Sequence, residues 1–294
     1  MKEEQWTIIK VLKWTTQYFS SLGIEQPRTD AEVLLAHVLG YERLDLYLNF
    51  DQPLTKAELA KYREAIKRRA RREPVQYITE RQEFWSLPIR VTPAVLIPRP
   101  ETECLVETAL KICREKLPET DQLHILDIGT GSGAISLALA KELPEATIFA
   151  SDLSFEAILL AKQNAKELTV QSGIHFFVSN LCEALGKKAH EYFDIVMSNP
   201  PYISDSEYQK LPPEIRNYEP KTALHGGENG TLVIKDILVS AAAYLKSGGC
   251  LVLEIGSTQG ALLRQFAGTL AWVSEIDIEK DYSGLDRVLI VRKK

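Results

Sequence analysis

The chain has 294 residues, 45% of them hydrophobic and 26% charged, a balance ordinary for a globular protein and long enough for two domains. Its net charge of −5 splits into +2 over residues 1–90 (15 Lys/Arg against 13 Asp/Glu) and −7 over the rest, which argues against the broad phosphate neutralisation of nonspecific nucleic-acid binding. No apolar run approaches the roughly 20 residues of a membrane span, the acidic start "MKEEQ" is unlike a signal peptide, and four scattered cysteines with no C-x-x-C pair predict a reducing cytoplasm and no metal site.

Residues 1–75 read as helices only. "WTIIKVLKWTTQYFSSLGI" repeats apolar positions at helical spacing and stops at Gly23. "RTDAEVLLAHVLG" does the same, with Thr29 or Asp30 as the expected N-cap and Gly40 as the stop. "LTKAELAKYREAIKRRARRE" offers Thr55 and Glu58 as a capping box and should end before Pro74. Its "KRRARR" run, Lys67 to Arg72, reads as a solvated helix end whose cations suit the macrodipole. Residues 76–100 lose helical spacing, and "QEFWSLPIRVTPAVLIPRP" predicts a β-hairpin linker.

From 101 to 294 helix and strand alternate. The strands are "HILDIG", "TIFASD", "HFFVSN", "FDIVMSN" and "GGCLVLEIG", with helices between them. Such alternation predicts an α/β fold, a mostly parallel sheet covered by helices on both faces. The last two strands, "WVSEIDIEKD" and "DRVLIVRK", lie close in sequence and are expected to form a hairpin that adds an antiparallel edge strand.

Two strand ends stand out. "LDIGTGSGAISLAL" runs from a strand through Gly129-Thr130-Gly131-Ser132-Gly133 directly into a helix. Glycines there admit a ligand to the backbone, and the helix start offers unpaired N–H groups. Asp152 ends the next strand, 19 residues past Gly133, where a carboxylate accepts ribose hydroxyl hydrogens in a nucleoside site. The G-x-G-x-G spacing is one residue short of the dinucleotide fingerprint and no P-loop is present, so S-adenosylmethionine fits better than a pyrophosphate ligand.

The second strand end is "FDIVMSNPPYIS", where an apolar run stops at Asn199-Pro200-Pro201-Tyr202. Neither proline has an N–H for a sheet, and both fix φ, so the tip is rigid. In a parallel sheet it falls at the ligand-binding edge. Asn199 Oδ1 and the Pro200 carbonyl are placed to accept the two hydrogens of a planar amide or amine. Tyr202 is suited to stack on that group, and the prolines limit reorganisation.

These residues carry a resemblance. "NPPY" after "DIGTGSG" and "SD", with "VLIPRPETECLVETAL", "YEPKTALHGGENG", "LVLEIG" and "GLDRVLIVRK", resembles the HemK/PrmC family of release-factor glutamine methyltransferases. "DAEVLLAHVLG", "EPVQYIT" and "EFWSLPI" extend the likeness from about residue 30 to the C-terminus. The resemblance implies a Rossmann-like class I S-adenosylmethionine-dependent methyltransferase domain with a seven-stranded sheet over 101–294, and a helical substrate-docking domain over 1–75. It implies methyl transfer to the side-chain amide nitrogen of the glutamine in the Gly-Gly-Gln motif of class I peptide-chain release factors. Carried over by position, Gly129 to Gly133 and Asp152 hold the cosubstrate, with Asn180, Leu181 and Asn199. Asn199, Pro200, Pro201 and Tyr202 hold the glutamine amide. "RPETE", Arg99 to Glu103, reads equally as a helix start and as the mouth of the active site.

Two positions depart from the family pattern. Asn180-Leu181 stands where an Asp and an aromatic are usual, which predicts altered adenine contacts. Glu80 stands where Gly is common, which bears on a turn in the linker. The expected protein is a cytoplasmic, monomeric enzyme without direct nucleic-acid or membrane partners. Methylation of an exocyclic amine in DNA or RNA is the rival chemistry, since the same tip suits adenine, and a noncatalytic docking module is the rival of another class.

Overall fold

The computed structural model describes residues 5–116, 122–170 and 173–294. The chain divides into two units. One comprises the residues up to Glu80 together with Pro213–Tyr218, and the other comprises Arg81–Pro212 and Glu219–Lys294.

The first unit holds α1 (Ile8–Ser21), α2 (Pro27–Leu39), α3 (Arg43–Leu48), α4 (Lys56–Ala70) and α5 (Val75–Thr79). Its core gathers one stripe from each longer helix, including Ile8, Phe19, Leu34, Leu35 and Tyr62. The Thr55/Glu58 capping box forms, and Gly40 closes α2 in the left-handed conformation. α2 starts earlier than Thr29 or Asp30 predicted, because Pro27 occupies its first turn, where a missing N–H costs nothing.

The "KRRARR" run departs from its solvated reading. Arg69 is 7% exposed, with its Nε on Asp30 Oδ2 at 2.7 Å and its guanidinium 3.3 Å from Glu214 Oε1. Arg72 also reaches Glu214 Oε1, at 3.1 Å, and Arg68 pairs with Glu73. A buried guanidinium must be paired, and here the partner is supplied by α10 (Pro213–Tyr218), a segment distant in sequence. Glu80 ends α5 at φ 55° and ψ 27°, so the chain keeps a left-handed turn that glycine would adopt without strain.

The second unit opens with a hairpin, β1 (Arg81–Phe84) and β2 (Leu87–Arg90). Its two turn residues, Trp85 and Ser86, both have positive φ without the usual Asn-Gly. Side-chain anchors hold the turn instead: the Trp85 N–H donates to Glu103 Oε1 and its indole N–H to Glu142 Oε1.

Then follow α6 (Glu103–Lys116), β3 (His124–Ile128), α7 (Ala134–Glu142), β4 (Thr147–Asp152), α8 (Phe155–Glu167), β5 (Ile174–Val178) and β6 (Phe193–Ser198). After the short α9 (Asp205–Tyr208) and α10 come α11 (Leu232–Ser240), β7 (Leu245–Glu254), α12 (Gly260–Gly268), β8 (Val273–Lys280) and β9 (Asp286–Lys293). No described helix is long and apolar enough to cross a membrane.

The seven strands order as β5-β4-β3-β6-β7-β9-β8, parallel from β5 to β7. The closing pair forms the expected hairpin, but its antiparallel strand is not the edge. β9 is the antiparallel strand and lies inside the sheet between β7 and β8, so β8, not the antiparallel strand, forms the edge. The burial patterns explain this: β9 carries the buried run Val288-Leu289-Ile290-Val291 and needs cover on both faces, whereas β8 has no buried position.

β6 is buried at all six positions. Each of its large apolar side chains contributes roughly 1.5–3 kcal/mol on burial, which fixes the strand at the sheet centre. The chain lays down β3, β4 and β5 in one direction and then returns to place β6 on the other side of β3. Open α/β sheets bind ligands at the C-terminal edge of such a reversal.

Candidate active site

β3 and β6 pair in register, with Asp127 opposite Met197, so their C-terminal tips emerge side by side. The Ser198 hydroxyl donates to the Ile128 carbonyl at 2.6 Å and ties the two tips together. The glycine turn and the Asn-Pro-Pro-Tyr segment therefore share one crevice. A cavity of ≈ 370 Å³ opens there, lined among others by Gly129, Gly131, Asp152, Asn180, Leu181, Asn199, Pro200 and Pro201. That volume suits a nucleoside-sized ligand.

Gly129 and Gly131 have φ of 74° and 56°. A Cβ at Gly131 would meet nothing within 4 Å, so the backbone faces open space that a ligand can occupy. Thr130, Ser132 and Gly133 are not in the cavity wall. Thr130 turns its hydroxyl down onto Asp127 Oδ2, Ser132 gives its carbonyl to the Asn164 side chain, and Gly133 caps α7. They shape the turn.

Asp152 receives the Gly131 N–H on Oδ2 and the Ser154 N–H on Oδ1, each at 2.8 Å. Burial pushes its carboxyl above the ordinary range, and these N–H groups oppose that shift. Each oxygen keeps a further lone pair for a ribose hydroxyl. Asn180 donates its Nδ2–H to Glu183 Oε1 at 2.8 Å, which leaves Oδ1 to accept from an adenine amino group. Leu181, at φ 46°, presents its side chain beside it. A ribose acceptor, an amino-group acceptor and an open glycine backbone fit S-adenosylmethionine.

Asn199 donates Nδ2–H to the Thr102 hydroxyl at 3.0 Å, so Oδ1 is its remaining polar atom. Pro200 is buried and Pro201 half-buried, and both line the cavity. Tyr202 is not in the cavity wall. Its ring packs on the sheet core and its hydroxyl donates to Glu254 Oε1 at 3.1 Å. Burial and the negative Glu254 hold its phenol far above its usual pKa, so it stays protonated. The segment is clamped from behind: the Ile203 N–H donates to the Leu224 carbonyl, the Gly226 N–H to the Ile203 carbonyl, and Gln259 Nε2 to the Tyr202 carbonyl at 2.9 Å. His225 pairs with Asp205, as a loop residue would.

Several contributors escaped the sequence reading. Asp127 is fully buried beneath the glycine turn, with the Thr130 and Ser136 hydroxyls on Oδ2 and no partner on Oδ1 among the described residues. Burial pushes its carboxyl up to about 6. Glu219 is buried and takes the Ile97 N–H and the Arg99 guanidinium, which anchors the "VLIPR" wall beside Pro220. Thr102 and Glu254 contact the Asn-Pro-Pro-Tyr segment directly. The signal in the sequence was a lone acid in each apolar run, "HILDIG" and "LVLEIG", which burial tolerates only with partners.

A seven-stranded sheet of this order with this crevice defines a class I S-adenosylmethionine-dependent methyltransferase. The hMettl16 catalytic domain in complex with MAT2A 3′UTR hairpin 6 shares the fold, with a TM-score of 0.57 and 17% identity over 76% of this chain and 80% of that one. Residues 105–212 match the model of the methyltransferase small domain, and residues 10–79 match that of the PrmC N-terminal domain. The chain belongs to the release factor glutamine methyltransferase family. It is 43% identical to the release factor glutamine methyltransferase of Geobacter sulfurreducens, over 98% of this chain and 97% of the relative. To that of Escherichia coli it is 40% identical, over 95% of this chain and 97% of the relative.

Proposed function

We propose that this protein transfers a methyl group from S-adenosylmethionine to the side-chain amide nitrogen of the glutamine in the Gly-Gly-Gln motif of class I release factors. The observation that carries this reading is Asn199. Its amide nitrogen is committed to Thr102, so its oxygen and the rigid Pro200 carbonyl remain to receive an amide NH₂. When bound, S-adenosylmethionine supplies an electrophilic methyl on a sulfonium. Asn199 Oδ1 and the Pro200 carbonyl accept the two substrate hydrogens and aim the nitrogen at it, and the prolines keep both acceptors from relaxing. Asp152 takes the ribose hydroxyls, Asn180 Oδ1 the adenine amino group, and Leu181 covers the adenine face. Tyr202, outside the cavity wall, stays protonated on Glu254 and does not act as a base. No residue becomes a covalent carrier.

A partner in translation termination places the enzyme in the cytoplasm. The rival substrate, a nucleic-acid amine, gains nothing from the likeness to hMettl16, which at 17% identity extends to the fold alone. Mass spectrometry of a release factor co-expressed with this protein should locate one added methylene on the glutamine of Gly-Gly-Gln. Methyl transfer to DNA or RNA with an unmodified release factor, assayed side by side, overturns the reading.

A further inference from the structure

A carboxamide presents either its oxygen or its NH₂ to a ligand, and only the oxygen of Asn199 serves an incoming amide NH₂. Something must decide between the two faces. Building on the glutamine-methyltransferase reading above, we propose that Thr102 and Glu254 are positioning residues that set the Asn199 amide with its oxygen toward the substrate and hold Tyr202 in place.

The polarity begins at Glu254, the last residue of β7, 1% exposed. An ionised carboxylate only accepts hydrogen bonds. Oε1 takes the Tyr202 hydroxyl hydrogen at 3.1 Å. Oε2 is buried with no hydrogen-bond partner among the described residues; burial pushes the carboxyl above its ordinary range, and the nearby Thr102 hydroxyl opposes that shift. A threonine hydroxyl has one hydrogen. Thr102 Oγ1 accepts Nδ2–H from Asn199 at 3.0 Å, which leaves its own hydrogen for the unpartnered Oε2. With Nδ2 held on Thr102, the amide turns its oxygen end away from that hydroxyl.

Burial is the main opponent of ionisation and Glu101 adds to it, while Arg287, itself fixed by Asp281 at 3.1 Å, supplies the counter-charge. An apolar residue would fill the end of "LVLEIG" at less desolvation cost, so stability alone does not account for an acid there. The carboxylate acts through two hydroxyls and touches no substrate.

The test compares Thr102→Val, Thr102→Ser and Glu254→Gln with the wild type. It measures kcat and KM for the release factor, S-adenosylmethionine affinity by calorimetry, and thermal midpoint. Valine keeps the shape of threonine and removes the acceptor. It should lower kcat about 10- to 100-fold while cosubstrate affinity and KM change less than about threefold. Serine restores the hydroxyl and should recover most of kcat. Glutamine at 254 turns an N–H toward one hydroxyl, reverses its polarity and should slow turnover as valine does.

Wild-type kcat in Thr102→Val, a Thr102→Ser enzyme as slow as Thr102→Val, or loss of turnover in step with cosubstrate binding each overturns the proposal. If Glu254→Gln fails to fold, the valine and serine pair, which leaves the carboxylate in place, decides. A wild-type protein that leaves the release factor unmethylated defeats the reading of function first, and the positioning role with it.

Discussion

Gly230 stands so close to Tyr202 that a Cβ built on it would lie 2.2 Å from the Tyr202 carbonyl oxygen. Its φ of 68° adds a second demand for glycine. Gly226 makes a similar approach, 2.5 Å from the Pro201 carbonyl oxygen. The "HGGENG" loop is thus the mould against which the Asn-Pro-Pro-Tyr segment is set, and Gln259 pins both through the Tyr202 and Gly230 carbonyls. Gly230→Ala should push Tyr202 off its seat. The expected result is a loss of roughly 1–3 kcal/mol in stability from the left-handed backbone and the clash. A larger proportional fall in turnover should accompany it. Denaturant midpoints and methyl-transfer rates check this together.

Asn199 is the residue on which chemistry should depend most. Asn199→Ala removes the proposed substrate acceptor and leaves the glycine turn, Asp152 and Asn180 untouched. Turnover should fall about 10²–10³-fold, as when one preorganised polar group is removed from an active site. S-adenosylmethionine affinity, measured by calorimetry, should stay within about threefold, since most of its contacts remain. Equal losses in both would make Asn199 a folding residue.

Much of this was legible in the sequence because it rests on local rules. The capping box at Thr55, the glycine stop at Gly40 and the βα alternation follow from spacing, and the fold follows from alternation. The crevice was legible at Gly129, Gly131, Asp152 and Asn199, which lie at strand ends. What escaped depends on contacts distant in sequence. Arg69 reads as a solvated cation until Glu214, 145 residues later, is brought to it. The "RPETE" segment reads equally as helix start and active-site mouth until Asn199, 97 residues later, donates to Thr102. Adjacency in sequence gives the β8–β9 hairpin but not which of the two strands lies inside, which the burial of Val288–Val291 decides for β9.

The Asn180–Glu183 bond predicts how the departure at Asn180 can be compensated. Asn180→Asp alone would set two carboxylates together where the amide now donates at 2.8 Å. S-adenosylmethionine should then bind severalfold more weakly, since like charges at this range repel. Asn180→Asp with Glu183→Gln restores a donor facing the new carboxylate and offers adenine a charged acceptor. The double variant should bind at least as tightly as the wild type, with the coupling between the two sites read from a double-mutant cycle of calorimetric affinities.

Asp127 should make stability depend on pH in an unusual direction. Its carboxyl is raised to about 6 by burial, against an ordinary value of 3.8 in the unfolded chain. Between those values the folded state binds more protons than the unfolded state, so this group's contribution rises as pH falls. Above pH 6 both states are ionised and the folded chain bears the full cost of a buried charge. Asp127→Asn cannot titrate. The stability of the wild type relative to Asp127→Asn should therefore grow by about 2 kcal/mol as pH drops from 7.5 to 4.5, by linkage. Denaturant unfolding of both proteins at the two pH values measures the difference, in which the other carboxylates largely cancel. A flat difference would mean that Asp127 titrates in its ordinary range, and that the hydroxyls of Thr130 and Ser136 fully offset its burial.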